Sequence, residues 1–249
     1  VGRKGFRSLT LHSKIAISTT LVLIFGGGLL IFLLEYGNPL TIGELSLFDK
    51  LQVSFFQSIT TRTAGFATVP QENLTNASSI LCLLLMFIGG SPVGTAGGIK
   101  TVTVAVLAVS ALATIRNQND VTLFNRTISR QAVNKAVAVA AMSFAILFAS
   151  TLLLCAVTDA SALDIVYETV SATATVGLTR NLTPYLSSAG KAVFYSLYFC
   201  DKRIVCDTAQ LSNTAQCILQ STLCNTHKGG VRSCLLSAVS LRKLLLVCI

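Results

Sequence analysis

Two short stretches carry residues whose types and order suit coordination of a small cation: Thr61-Arg62-Thr63-Ala64-Gly65 and Thr175-Val176-Gly177-Leu178. Neither contains a carboxylate, imidazole or thiolate, so the oxygens on offer are backbone carbonyls and threonine hydroxyls. Glycine takes dihedrals closed to other residues. A strand that includes it can therefore turn successive carbonyl oxygens toward one axis, where they replace the hydration shell of the ion. The expectation is a short helix descending from outside and a chain that turns back as an extended strand over residues 61 to 65, with an equivalent turn from Thr173 to Thr179. A re-entrant loop without an ion site and a plain external turn are the other structures such a segment allows.

Thr175-Val176-Gly177 repeats the first three letters of the potassium-channel filter and lacks its last two, which leaves one glycine per segment. A second feature is "MFIGGSPVGTAGGIKTVTV", residues 86 to 104, inside a long apolar run. Gly89, Gly90, Ser91, Pro92, Gly94, Thr95, Gly97 and Gly98 cannot continue a regular helix. The expectation is a break beneath the filter, in the conduction path, acting as a gate with Lys100 near its inner end; a passive kink is the alternative. A phosphate-binding loop fails, because Ile99 separates Gly98 from Lys100.

The elements that position these segments follow from hydropathy. Of 249 residues 52% are hydrophobic and 12% charged, with a mean hydropathy of +0.70, which places the chain in a membrane. Apolar runs long enough to cross a bilayer lie at about residues 15 to 35, 78 to 110 with an interruption, and 132 to 157, and a fourth begins near 189. Two shorter segments, about 46 to 60 and 162 to 174, suit half-crossing helices. Setting Gly65 against Gly177 also pairs Phe55 with Tyr167, Thr61 with Thr173, Thr63 with Thr175 and Phe66 with Leu178. Each repeat reads as spanning helix, short helix, Thr/Gly segment and spanning helix, a building plan common among membrane transporters.

The formal charge of +9 is topological in origin. Arg3, Lys4, Arg7 and Lys14 precede the first helix, and Arg116, Arg126, Arg130 and Lys135 surround the linker between the repeats, so both places should be cytoplasmic. Glu35, Glu44, Asp49, Glu72, Asp159 and Asp164 collect on the other side. Arg62 and Arg180 should point away from the ion path and pair with a carboxylate or carbonyl, Glu168 being one candidate partner. No catalytic constellation is present: His12 and His227 stand in unlike contexts and no G-x-S-x-G elbow occurs. The expectation is therefore a transport protein rather than an enzyme.

With "SFFQSITTRTAGF", "FIGGSPVGTAGGIKT" and "SATATVGLT" in place, residues 1 to 199 closely resemble the ion-translocating subunit of the Trk/Ktr/HKT superfamily of potassium transporters, nearest to its bacterial Ktr type. The resemblance implies an all-α membrane protein of helix, pore hairpin and helix repeats, four in the family. Residues 1 to 110 look like the third, 111 to 131 like a cytoplasmic linker and 132 to 199 like an incomplete fourth. It further implies that Gly65 and Gly177 are filter glycines, that residues 89 to 98 form an intramembrane gating loop, and that the ion is K+, sometimes with or replaced by Na+. No organic cofactor is expected. The implied partners are a cytosolic nucleotide-binding regulatory ring, a second subunit in a homodimer and the lipid of a bacterial inner membrane, with no nucleic acid. The first residues would then be cytoplasmic.

Two departures from the family pattern are visible. The first two repeats are absent, so the chain reads as the continuation of something larger. From about residue 200 the composition changes, and Cys200, Cys206, Cys217, Cys224, Cys234 and Cys248 crowd a stretch that matches no zinc spacing. Residues 200 to 249 are expected to be a divergent tail, translated out of frame or otherwise aberrant. Reading the coding DNA past Phe199 in the other two frames should return an apolar continuation with a Gly-Arg pair, and its absence from both frames would refute the frame shift.

Overall fold

The structure is a computed structural model that describes residues 9–91, 97–117, 121–124, 126–186 and 190–191. The chain divides into two units, Val1–Cys206 and Asp207–Ile249, and every described residue belongs to the first. The expectations for the tail, for Pro92, Gly94 and Thr95, and for nearly all of the run that begins near 189 lie outside the described residues.

Among the described residues the main helices are α1 (Leu11–Glu35), α2 (Leu47–Thr60), α3 (Asn76–Phe87), α4 (Thr101–Ile115), α5 (Arg130–Val157) and α6 (Ala162–Thr173). At about 1.5 Å per residue, the 25 residues of α1 and the 28 of α5 exceed the roughly 30 Å hydrocarbon core of a bilayer. α2 and α6 are half that length, as their apolar runs suggested. Their starts are written locally in the same way. Ser46 and Ser161 each accept a hydrogen bond at 3.3 Å from the backbone N–H three residues on, while each serine hydroxyl donates to the carboxylate of that residue, Asp49 or Asp164, at 2.7 Å. Each serine is an N-cap, and its hydroxyl, rather than its backbone N–H as in a full capping box, holds the acid at the positive end of the helix.

The 111–131 linker departs from expectation. α4 continues to Ile115, and a two-residue antiparallel ladder then forms between β1 (Thr122–Leu123) and β2 (Arg126–Thr127). Phe124, at φ +52°, lies in the turn between the two strands.

α1 packs on α2, α5 on α6, and the two repeats meet where α3 lies on α6 and α4 on α5. The core at this seam takes Cys82, Leu85 and Met86 from the first repeat and Tyr167, Val170 and Val176 from the second. Large apolar side chains on the outside of α1 and α5, among them Val22, Leu33, Phe144 and Phe148, are exposed, as lipid-facing positions of a membrane helix are.

The three glycines of α1 differ in role. A Cβ on Gly27 would stand 2.6 Å from the Ser58 hydroxyl oxygen and one on Gly28 2.7 Å from the Phe55 ring, whereas one on Gly26 meets nothing within 4 Å. The bare backbone at 27 and 28 lets α2 come close enough for the Ser58 hydroxyl to reach the carbonyls of Leu23 and Ile24, both at 3.2 Å. Small residues allow the same close approach at other helix interfaces in membranes. Gly27→Leu and Gly28→Leu should each lower the stability of the detergent-solubilised protein by about 1–3 kcal/mol through overpacking. Gly26→Leu should leave the thermal midpoint unchanged, and equal loss in all three would contradict this packing.

Candidate functional site

Both short helices end at the predicted segments. The negative ends of their dipoles, each equivalent to about half an elementary charge, therefore fall beside Thr61–Gly65 and Thr175–Leu178, an arrangement that favours a cation.

The exit from α2 corrects the expected strand. Residues 61 to 64 remain in a helical exit turn: Thr61 N–H donates to Gln57 at 3.2 Å, Arg62 N–H to Ile59 at 3.1 Å, and Ala64 and Gly65 N–H both donate to the carbonyl of Thr60 at 3.1 Å. The turn ends at Ala64, and Gly65, left-handed at φ +77°, starts the irregular return of the chain. The reason lies in the threonines. The Thr61 hydroxyl caps the carbonyls of Gln57 and Ser58, both at 3.1 Å, and the Thr60 hydroxyl donates to Phe66 O at 2.7 Å while accepting from Phe66 N–H at 2.8 Å. One side chain thereby holds the returning chain by both of its polar groups.

The second segment exits α6 similarly, with Ala174, Thr175 and Val176 N–H donating to Val170, Ala172 and Ser171. The correspondence read from sequence appears in the dihedrals. φ is +72° at Thr63 and +77° at Gly65, and +53° at Thr175 and +89° at Gly177, while Ala64 and Val176 between them are not left-handed. A β-branched residue with positive φ is a strained outlier costing about 1–2 kcal/mol. It persists here at the same position of both hairpins.

The two segments touch. A Cβ on Gly65 would collide with the carbonyl oxygen of Val176, whereas one on Gly177 would meet nothing within 4 Å. Beneath them lies the glycine-rich stretch. α3 stops at Phe87 and α4 starts at Thr101, and the neck of the loop between them is closed by a parallel bridge of Ile88 with Ile99. Ile99 N–H donates to Phe87 O at 3.1 Å and Thr101 N–H to Gly90 O at 3.3 Å. Gly97 reaches the second segment: its N–H donates to the Thr175 hydroxyl at 3.0 Å, and a Cβ there would stand 2.6 Å from the carbonyl oxygen of Ala174. Gly89, Gly90, Ser91, Gly97, Gly98 and Lys100 thus lie between α3 and α4, and Gly97, close to the neck, meets the turn at Thr175.

Both arginines have oxygen partners. Arg62 extends toward α1, within 3.5 Å of the Thr20 carbonyl and 3.4 Å of its hydroxyl. The partner of Arg180 is Asp164, at 2.7 Å, and not Glu168. Glu168 instead accepts from the hydroxyls of Thr179 and Thr183 and from Leu182 N–H, holding the loop that follows Gly177. Burial pushes the Asp164 carboxyl up, but hydrogen bonds from Arg180 and Ser161 and the guanidinium charge together hold it below the usual carboxylate range. The remaining Arg180 donors cross to the first repeat, reaching Gln71 O at 2.8 Å, the Ser79 hydroxyl at 2.6 Å and Glu72 O at 3.3 Å.

Sequence reasoning missed a buried polar hub behind the segments. The Gln71 side-chain oxygen accepts from Gln57 Nε2 at 2.6 Å and from the Tyr167 hydroxyl at 2.9 Å, and its Nε2 donates to Val69 O at 2.8 Å. The pairing of Phe55 with Tyr167 marked the position, but no local signal marks Gln71. Among the described residues no group of three His, Cys, Asp or Glu could hold a metal. Oxygens for a cation must come from the backbone and the hydroxyls.

The model of the TrkH family, cation transport proteins, matches residues 6–205. Ktr system potassium uptake protein B of Bacillus subtilis is 40% identical over 196 residues, covering 79% of this chain and 44% of that protein. The protein of the same name from Vibrio alginolyticus is 39% identical over 191 residues, covering 77% and 42%. Potassium/sodium uptake protein NtpJ of Enterococcus hirae is 36% identical over 198 residues, covering 78% and 44%. The chain spans less than half the length of these relatives. The crystal structure of the potassium transporter TrkH from Vibrio parahaemolyticus superposes with a TM-score of 0.64 at 16% identity, covering 77% of this chain and 42% of that one, a likeness of fold.

Arg180→Met should lower stability by about 2–3 kcal/mol, because the hydrogen bonds lost are charge-assisted and partly buried. Asp164→Asn, which leaves the contacts to the first repeat, should cost less than half of that. Arg180→Lys should resemble Arg180→Met, since a single ammonium cannot reproduce the fork. Thermal unfolding of the three purified variants checks the order.

Proposed function

The chain belongs to the TrkH family of cation transport proteins, and from that premise we propose that it supplies two hairpins of a membrane pore for potassium uptake, with Thr61–Gly65 and Thr175–Leu178 as parts of the selectivity filter. The observation that carries this is the matched backbone: in both hairpins a left-handed threonine, a residue of ordinary φ and a left-handed glycine follow a helix whose negative end faces them. Alternation of φ sign rolls neighbouring peptide planes so that their carbonyls turn to a common side. Strain kept at the same position twice suits a site over-determined by its surroundings.

In this reading K+ sheds water onto backbone carbonyls, drawn inward by the membrane potential, about 2.3 kcal/mol per charge per 100 mV. Na+ accompanies or replaces it in the manner that the name of the Enterococcus relative implies. The loop from Gly89 to Lys100 is the gate. The bond from Gly97 to Thr175 and the Ile88–Ile99 bridge at the neck support this reading. The cytosolic nucleotide-binding ring, the homodimer and the bacterial plasma membrane with a cytoplasmic first residue belong to the same proposal; the word "system" in the relatives' names supports a partner subunit. The role is transport without catalysis.

The test is rubidium uptake by cells stripped of their own potassium transporters, expressing the chain alone or joined to the part of its Bacillus subtilis relative outside the match. Uptake above empty cells is expected from the joined form, and none from either form despite membrane insertion would overturn the proposal. In the joined form, Gly65→Ser should reduce discrimination of rubidium over sodium by tenfold or more, a loss of about 1.4 kcal/mol, since it combines dihedral strain with collision against Val176. Gly177→Ser, with strain alone, should have a smaller effect in the same direction.

A further inference from the structure

We infer that Gln71 is a specificity-determining positioning residue: its side-chain oxygen, shared by a donor from each hairpin, sets the spacing between the two filter segments. The inference rests on the filter reading above. Gln71 and Gln57 are 2% and 1% exposed, and Tyr167 is fully buried. Gln57 is on α2, and its own carbonyl receives the N–H and hydroxyl of Thr61, the first residue of one segment. Tyr167 is on α6, and Val170, one turn further along that helix, receives the N–H of Ala174 at the start of the other segment. The two helices are joined through one acceptor, not by direct packing alone.

Gln71 is held from the second repeat twice. Tyr167 grips its side chain and Arg180 its backbone carbonyl, with the guanidinium 5.8 Å from the Tyr167 ring. Its amide nitrogen donates to Val69 O at 2.8 Å and at 3.4 Å to Gln57 Oε1, which fixes the side-chain oxygen toward the two donors. In front of this hub Gly65 lies against the Val176 carbonyl with no room for a methyl group. A shift between α2 and α6 therefore moves carbonyls that face the ion. A carbonyl site tells K+ from Na+ by cavity dimensions or by the number and field of its dipoles, and both depend on that spacing.

Because the acceptor is shared, loss of one donor leaves it satisfied by the other, while loss of both leaves a buried carbonyl unpaired. In the transporting joined form, Tyr167→Phe and Gln57→Leu should each change the rubidium/sodium uptake ratio by less than about twofold, and the double variant by about tenfold, more than the product of the singles. Membrane abundance should be matched throughout by immunoblot. Gln71→Met should reproduce the double variant, and adding Tyr167→Phe to it should change nothing further; this pair serves if the double variant fails to accumulate. A ratio that stays within twofold in the double variant or Gln71→Met while Gly65→Ser shifts it overturns this inference and leaves the filter reading standing. Multiplicative behaviour of the singles in the double variant also overturns it, since it would mean two independent packing effects. No uptake by the parent form removes the filter reading and this inference together.

Discussion

Backbone that leaves a helix at membrane depth has no water to turn to, and each N–H or C=O left unpaired there costs several kcal/mol. The three irregular segments of this chain are organised around that constraint. Thr60 satisfies both polar groups of Phe66, the carbonyl of Thr60 takes two N–H groups, and Gly97 finds its acceptor in Thr175. Threonine suits these positions because a hydroxyl both donates and accepts within one short side chain. The chain around them is strongly apolar, and its small polar residues are concentrated where the helices stop.

The same constraint governs the charges. Glu35, 1% exposed at the end of α1, accepts from Asn38, from the Thr41 hydroxyl and from both the N–H and hydroxyl of Thr75, at 2.7 to 2.9 Å. It ties the end of one helix to the start of α3. Lys50 donates to the Tyr36 carbonyl at 3.1 Å while lying 4.3 Å over that residue's ring, so it closes the other side of the α1–α2 corner. Arg180 does the equivalent work between the repeats. Each buried ion has more than one partner, as it must where solvation is absent.

Legibility in the sequence followed the range of the interaction. α1, α2, α5 and α6 were readable within a few residues, because apolar length and Ser-x-x-Asp starts are local. The break at 89–98 was readable because glycine and proline act on their own backbone. The matched turns at Thr63–Gly65 and Thr175–Gly177 were readable because the same sequence context occurs twice. The exit turn at 61–64 was not, since it depends on which carbonyl each threonine hydroxyl finds. The choice of Asp164 over Glu168 by Arg180 was not, since both acids lie on α6 and only the folded loop decides. Gln71 was invisible because its partners sit 14 and 96 residues away. The sequence near it shows only an ordinary polar turn. The hairpin at 122–127 was hidden in a polar linker with no apolar alternation to announce strands.

The neck between Ile88 and Ile99 is a parallel pairing, so the chain leaves and rejoins it travelling the same way. The segment between is a detour, not a reversal. Its length therefore has no bearing on which side of the bilayer α4 emerges, and doubling it would add only about 0.6 kcal/mol of closure entropy. Composition at the neck is less free than length, because a Cβ on Gly89 would collide with the Gly97 carbonyl oxygen and one on Gly97 would stand 2.6 Å from that of Ala174.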